Sequence, residues 1–195
     1  MGKRMAGGQL ASNQLRVSMR NSSMSCIVIQ RLTDVQTLNG LAHVDYKKPG
    51  SYSYEELFGI ARKLRLPVIE AEEILRRMVF NIIARNHDDH AKNFAFLLNG
   101  KQWALAPAYD LAYSYKPGSK WVNSHWMTLN GKRDAFTRED FWGLENLSHL
   151  FNRSKVNNVI DETIENVSRW QDLALQWQVP PLLIEEVSSN LRLHV

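Results

Sequence analysis

Between His87 and Asn93 the chain reads His-Asp-Asp-His-Ala-Lys-Asn, its densest run of side chains able to move a proton, hold a cation or meet a phosphate. Asp88, Asn93 and the later Asp110 are the members that could act together. Two carboxylates and an amide are hard oxygen ligands, which suit Mg²⁺ better than zinc. Mg²⁺ commonly takes one or two carboxylates and leaves positions for water and substrate phosphates.

These residues need elements to hold them. Leu38, Leu41 and Ala42 follow helical spacing, and Lys47-Lys48-Pro49-Gly50 reads as a turn. Ser53 and Glu56 form a capping-box pair that opens a helix through about Leu64. Pro67 starts a stronger helix to about Asn86, with Ile74, Leu75, Met78, Val79, Ile82 and Ile83 on one wide apolar stripe. Asn99-Gly100 then separates two apolar runs, Phe94–Leu98 and Gln102–Ala106, and predicts a hairpin with a type I′ turn. In that register paired residue numbers sum to 199, so Phe96 faces Trp103 and Asn93 comes opposite Ala106. Asp110 lies just beyond, at the end of the hairpin away from its turn, so the chain draws Asp88, Asn93 and Asp110 toward one place. A loop region runs to about Arg133; Thr137 caps a helix to about Leu150; Ser154 opens a long helix that Val179-Pro180-Pro181 stops. A last helix reaches about Arg192. The expectation is a mainly α fold with one central β-hairpin.

Asp88 and Asn93 have four residues between them, the D-x-x-x-x-N spacing of a kinase catalytic loop. Such pairs also arise by chance, and Asp and Asn cap helices and turns, so a structural reading stands beside the catalytic one. The wider sequence narrows the choice. Asp88-Asp89-His90-Ala91-Lys92-Asn93, followed by Trp103-Ala104-Leu105-Ala106-Pro107-Ala108-Tyr109-Asp110, resembles the HipA-type serine/threonine kinases of bacterial toxin–antitoxin systems. Gln36-Thr37-Leu38, Tyr52-Ser53-Tyr54-Glu55-Glu56 and Met127-Thr128-Leu129-Asn130-Gly131-Lys132 continue the resemblance, which covers roughly residues 34 to 193.

That resemblance implies the helical C-terminal lobe of a HipA and protein-kinase-like fold, assigned to residues 26–195; residues 1–25, with four methionines, five serines and no clear period, read separately as a poorly ordered leader. It implies transfer of the γ-phosphoryl group of Mg·ATP to a protein hydroxyl. Asp88 would be the catalytic base, Asn93 and Asp110 the metal ligands, and Lys92 a group near the γ-phosphate. Family members are longer at the N-terminus, with a phosphate-covering loop, a nucleotide-contacting lysine and an adenine hinge. Gly7-Gly8 is not such a loop, no lysine lies between Lys3 and Lys47, and Cys26–Ile29 offers one short strand. The chain is therefore expected to be weak or inactive alone. A HipB-like DNA-binding antitoxin or a separate N-lobe protein is the expected partner. Two other functions stay open: a non-catalytic pseudokinase or binding subunit, and a metal-dependent phosphohydrolase suggested by His87-Asp88 and Asp89-His90.

Neighbouring residues carry plainer expectations. His87 reads as a surface histidine, His90 as a group orienting the site, Asp89 as local scaffolding and Tyr109 as packing beneath the site. The six tryptophans read as core or half-buried residues.

Composition bounds these readings. The 195 residues include 44% hydrophobic and 23% charged side chains, which fits one globular domain and excludes a disordered or collagen-like chain. No apolar run approaches the ~18 residues of a membrane helix. A single cysteine, Cys26, excludes an internal disulfide framework and a Cys-cluster zinc site, and a reducing cytoplasm fits. Of 24 Lys and Arg residues, five lie before Asp34, where there is no acid; the remainder carries 19 against 20 acidic residues. The basic balance belongs to the N-terminal segment, so no direct nucleic-acid binding by the fold is expected.

Overall fold

The computed structural model describes residues 34–45 and 47–195; the expected leader and the expected strand at Cys26–Ile29 lie outside the described residues. A small antiparallel sheet sits against a mostly helical body. Its strands are β1 (Asp34–Thr37), β2 (Ala95–Asn99) and β3 (Gln102–Leu105), in the order β1-β2-β3. The helices are α1 (Leu38–Ala42), α2 (Tyr54–Lys63), α3 (Val68–Ile83), α4 (Arg138–Trp142), α5 (Arg153–Ser168), α6 (Trp170–Gln176) and α7 (Pro181–Asn190).

The strongest local signals produce the expected elements. Ser53 and Glu56 close a reciprocal capping box: Glu56 N donates to Ser53 Oγ at 3.1 Å, and Ser53 N donates to Glu56 Oε2 at 2.8 Å. The apolar stripe of α3 is fully buried, with Ile74, Leu75, Met78, Val79, Ile82 and Ile83 all at 0% exposure. This helix packs against α2 and α5 and forms the middle of the core.

Where α3 ends decides where the polar cluster points. The helix stops at Ile83, three residues before the expected Asn86. Arg85 turns left-handed at φ 56, and Asn86 N donates back to Asn81 O at 2.8 Å. That six-to-one bond around a left-handed residue is a Schellman closure, here without the usual glycine. The chain leaves it heading into His87 and Asp88.

The hairpin forms, but in another register. Phe96 pairs with Leu105, Leu98 with Trp103 and Asn99 with Gln102, so paired numbers sum to 201. Asn99 stays in β2, and Gly100 and Lys101 form the turn, with Gly100 at φ 63 and Lys101 outside the positive-φ region. A single positive φ at the first central position is the type II′ pattern, not I′. Because the shift in register is two residues, every side chain keeps its expected face. β1 is an addition to the expected architecture: it pairs with the open edge of β2, with Gln36 opposite Phe96.

Two expected helices are divided. The stretch after Thr137 is helical only to Trp142, then continues as short 3-10 turns at Gly143–Asn146 and His149–Phe151. Gly143 weakens the helix interior, and the Ser148 hydroxyl accepts from Leu150 N at 3.2 Å, which favours a new start. The following helix is capped by Asn152, whose Oδ1 accepts from Lys155 N at 3.0 Å, and not by Ser154. It breaks at Arg169. Thr163, Asn166 and Ser168 bond back to carbonyls of their own helix just before that break, a pattern that bends helices.

Candidate active site

The segment from Asn86 to Asn93 links the end of α3 to β2. Its two adjacent aspartates have opposite surroundings. The Asp88 side chain is 43% exposed, whereas that of Asp89 is 0% exposed.

Asp89 is an anchor. Its Oδ2 accepts from Tyr54 OH at 2.7 Å and lies 2.9 Å from His125 Nδ1; its Oδ1 accepts from Trp126 N at 2.7 Å. Four well-placed partners, with Met127 N at 3.4 Å the weakest, meet the requirement that a buried carboxylate be fully hydrogen-bonded. Burial and the neighbouring Asp89 charge push the Tyr54 phenol well above its usual range, so it remains a donor. Asp89 is thus scaffolding, as the sequence suggests.

The anchor extends into a chain of side chains. Asn81 Nδ2 donates to Tyr54 OH at 3.1 Å, and Asn86 Nδ2 donates to Asn81 Oδ1 at 2.9 Å. Asn86 Nδ2 also donates to the backbone carbonyl of Asp110 at 3.2 Å. Ser114 Oγ donates to Asn86 Oδ1 at 2.9 Å and accepts from Asp88 N at 3.1 Å. Asn86 and Ser114 therefore tie the backbone of Asp88 to that of Asp110. Asn93 joins from the other side, its Nδ2 donating to Asp88 O at 2.8 Å. The three residues singled out in the sequence are brought together, although by a route different from the expected hairpin pairing.

This arrangement has a defined polarity. With Asn93 Nδ2 engaged, its Oδ1 is the group available to a cation. Asp110 is exposed and held at φ 56, and among the described residues no cationic side chain forms an ion pair with it. Asn93 Oδ1 and the Asp110 carboxylate are hard oxygen donors, the kind Mg²⁺ takes alongside water and phosphate oxygens. Among the described residues no three His, Cys, Asp or Glu side chains converge as a self-sufficient metal cage. Lys92 is half-buried, and its carbonyl accepts from Tyr109 OH. Tyr109 is 40% exposed, so it lies over the loop and not beneath it. His90 Nε2 is 3.6 Å from Asp88 Oδ1, close enough for electrostatic orientation and too long for a hydrogen bond.

His87 is a correction. It is fully buried, with Nδ1 3.2 Å from Val122 O and its ring 4.9 Å from Tyr115 and 4.2 Å from His125. Placed between charged-looking neighbours, it reads as surface; in the fold it plugs the space behind the loop. Burial, then His125 and the Arg192 and Arg85 cations, lower its pKa from 6.5 to about 2. Neutral His87 makes stability pH-dependent. The unfolded chain binds a proton that the folded chain refuses, so this contribution is complete above pH 6.5 and is lost as pH falls toward about 2. The loss reaches at most about 1.4 kcal/mol per pH unit. Urea unfolding at pH 7 and pH 5 should show a smaller acid loss for His87→Asn than for the wild type; equal losses would remove His87 as the cause.

Tyr54, Asn81, Asn86, Ser114, His125 and Trp126 escaped the sequence reading. One signal was present: Asn81 is an uncharged polar residue set within the apolar stripe of α3, and it is 1% exposed. A buried amide in such a stripe needs partners, which marks a polar network.

Comparison with known proteins follows the same direction. A family model described as the HipA-like C-terminal domain matches residues 20–171. A protein of Sinorhizobium fredii named "Putative kinase Y4mE" is 24% identical over 141 residues, which is 69% of this chain and 33% of that protein. The serine/threonine-protein kinase toxin HipA of Shewanella oneidensis is 36% identical over 59 residues, which is 30% of this chain and 14% of that protein. Among solved structures, a chain of the Shewanella oneidensis complex of HipA, HipB and operator DNA matches with a TM-score of 0.65 at 17% identity, covering 87% of this chain and 45% of that one. The chain thus spans less than half the length of these relatives. The structural likeness supports the helical lobe with its small sheet. With most of its length matched by the family model, the chain belongs to the family of HipA-like C-terminal domains.

Proposed function

We propose that this chain is the C-terminal catalytic lobe of a HipA-like serine/threonine kinase, which transfers the γ-phosphoryl group of Mg·ATP to a protein hydroxyl. The observation that carries the reading is the junction just described: Asp88 and Asp110 are fastened to each other through Asn86 and Ser114, with their carboxylates toward solvent. In this reading Asp88 accepts the proton of the attacking hydroxyl, and general-base assistance of this kind contributes about 10²–10⁴-fold. Asn93 Oδ1 and Asp110 are the residues that would hold Mg²⁺, which when bound would supply neutralisation of charge on the phosphates. Lys92 approaches the γ-phosphate. Catalysis is then mostly positioning, and the buried Asp89 anchor supplies rigidity.

The same reading makes the isolated chain weak or inactive, because phosphate cover and adenine contacts come from another lobe. It makes a HipB-like antitoxin, or a separate N-lobe protein, the natural partner, and the cytoplasm the compartment. No described helix is long and apolar enough to cross a membrane. Each His–Asp pair behind the phosphohydrolase alternative has one member committed to the interior: His87 is fully buried, and the Asp89 carboxylate is held by Tyr54, His125 and Trp126.

Calorimetric titration of the chain with Mg·ATP tests the site. Binding that requires Mg²⁺ and is lost in Asp110→Ala is the expected result. A folded wild-type chain that ignores Mg·ATP to millimolar concentration would overturn a working nucleotide site here and leave the non-catalytic subunit reading.

A further inference from the structure

The loop that follows Asp110 has an unusual charge pattern. Leu111 to Arg133 contains four cations and no carboxylate. Lys132 is engaged with Asp140 at 2.8 Å, and Arg133 Nε donates to His125 O at 2.6 Å. Lys116 and Lys120 are exposed, and among the described residues no carboxylate pairs with either. They share one tip. Lys116 N donates to Val122 O at 3.2 Å, and the Ser119 hydroxyl accepts from Trp121 N at 3.1 Å, so the turn closes on itself.

Trp121 stands on this tip and is 63% exposed. It is held in place by its neighbour: its ring lies parallel to that of Trp126, 11° apart at a centroid distance of 6.0 Å. Trp126 is itself fixed. Its backbone N–H donates to Asp89, and its ring meets His90 edge-on at 6.1 Å. His90 in turn is 3.6 Å from Asp88. An exposed, preoriented indole flanked by unpaired cations therefore stands two rings away from the candidate base. Exposed aromatic anchors of this kind dominate protein-recognition surfaces because little side-chain freedom is lost on binding.

We propose that the Lys116–Val122 turn is a docking platform for an acidic segment of the protein to be phosphorylated. A planar or apolar residue of that segment stacks on Trp121, carboxylates meet Lys116 and Lys120, and the adjacent hydroxyl is presented to Asp88. The purpose of the platform rests on the kinase reading above; the binding itself does not. A single-stranded nucleic acid also pairs rings with cations, but it needs a positive groove that tracks its backbone. From Asp34 onward the chain carries 19 basic against 20 acidic residues, which favours a short acidic segment over a long polyanion.

Fluorescence polarisation on the full chain tests this. The probes are a labelled peptide with one serine flanked by glutamates and a tyrosine, its lysine-for-glutamate counterpart, and an oligothymidylate. The acidic peptide is expected to bind, more weakly as salt rises, and the lysine peptide is not. Trp121→Ala should weaken binding about tenfold and Lys116→Glu with Lys120→Glu should abolish it. All three residues are exposed, so the variants should stay folded, which urea curves would check. Asp88→Ala should bind as the wild type does. Mg·ATP calorimetry on the same wild-type chain separates the two ideas: a chain that binds the acidic peptide and ignores Mg·ATP to millimolar concentration would overturn the nucleotide site and keep the platform. The platform is overturned if the acidic peptide fails to bind at low salt, if Trp121→Ala binds it unchanged, if the oligothymidylate binds more tightly, or if Mg·ATP displaces it.

Discussion

Asp89→Ala is expected to cost about 3–5 kcal/mol of folding stability, enough to unfold much of a domain whose total lies near 5–15 kcal/mol. The reason is the set of partners left behind. Trp126 N, Tyr54 OH and His125 Nδ1 all face the Asp89 carboxylate in a space that water does not reach. Alanine removes the acceptor and keeps the donors buried, which is the costly direction of the change. Tyr54→Phe removes one of those donors and the acceptor of Asn81, and should cost only about 1–2 kcal/mol. Asp88→Ala, one residue away, removes a carboxylate that is 43% exposed and should stay within about 0.5 kcal/mol of the wild type. Urea unfolding followed by tryptophan fluorescence orders the three. An Asp89→Ala chain within about 1 kcal/mol of the wild type would mean that the carboxylate is not the anchor of the loop.

The contrast between these neighbours shows what the sequence could and could not convey. The types and spacing of Asp88 and Asn93 are local facts, and they suggested the chemistry without any fold. So were the Ser53–Glu56 box and the apolar stripe of α3, each complete within a few residues. The Asn99-Gly100 pair announced a hairpin, but its register depended on whether Asn99 stayed in the strand, a choice that one positive φ at Gly100 settles. β1 was invisible for another reason: Asp34–Thr37 is four residues long and does not alternate, with two exposed residues followed by two half-buried ones. Its strand state comes from the neighbouring edge of β2, not from its own pattern. The links Asn86–Ser114 and Asp89–His125 join residues 28 and 36 positions apart, so no periodicity could reveal them. His87 was misread for the same reason, since only the packed fold shows that Tyr115 and His125 enclose it.

Asp110→Gly should hold or raise stability while it removes nucleotide binding. Asp110 has φ 56, a left-handed conformation that costs a side chain roughly 1 kcal/mol and that glycine adopts freely. The bond that fixes this point, from Asn86 Nδ2, reaches the Asp110 carbonyl and survives any change of side chain. Glycine therefore relaxes the backbone and keeps the junction with Asp88, and the relief is partly offset by the greater freedom of glycine in the unfolded chain. Asp110→Ala keeps the strain and should be the less stable of the two variants by about 1 kcal/mol. Both lose the carboxylate proposed to hold Mg²⁺. An inner ligand should matter at least as much as the outer groups around metals, whose loss costs about 10–100-fold in affinity, so Mg·ATP binding should fall by about 100-fold or more in each. Thermal unfolding and calorimetry on the same samples would read both quantities. A stable Asp110→Gly chain that no longer binds Mg·ATP would mean that the strained aspartate is retained for its carboxylate, at the expense of stability. If Asp110→Gly binds Mg·ATP as the wild type does, Asp110 is no metal ligand and its left-handed backbone is only a feature of the turn.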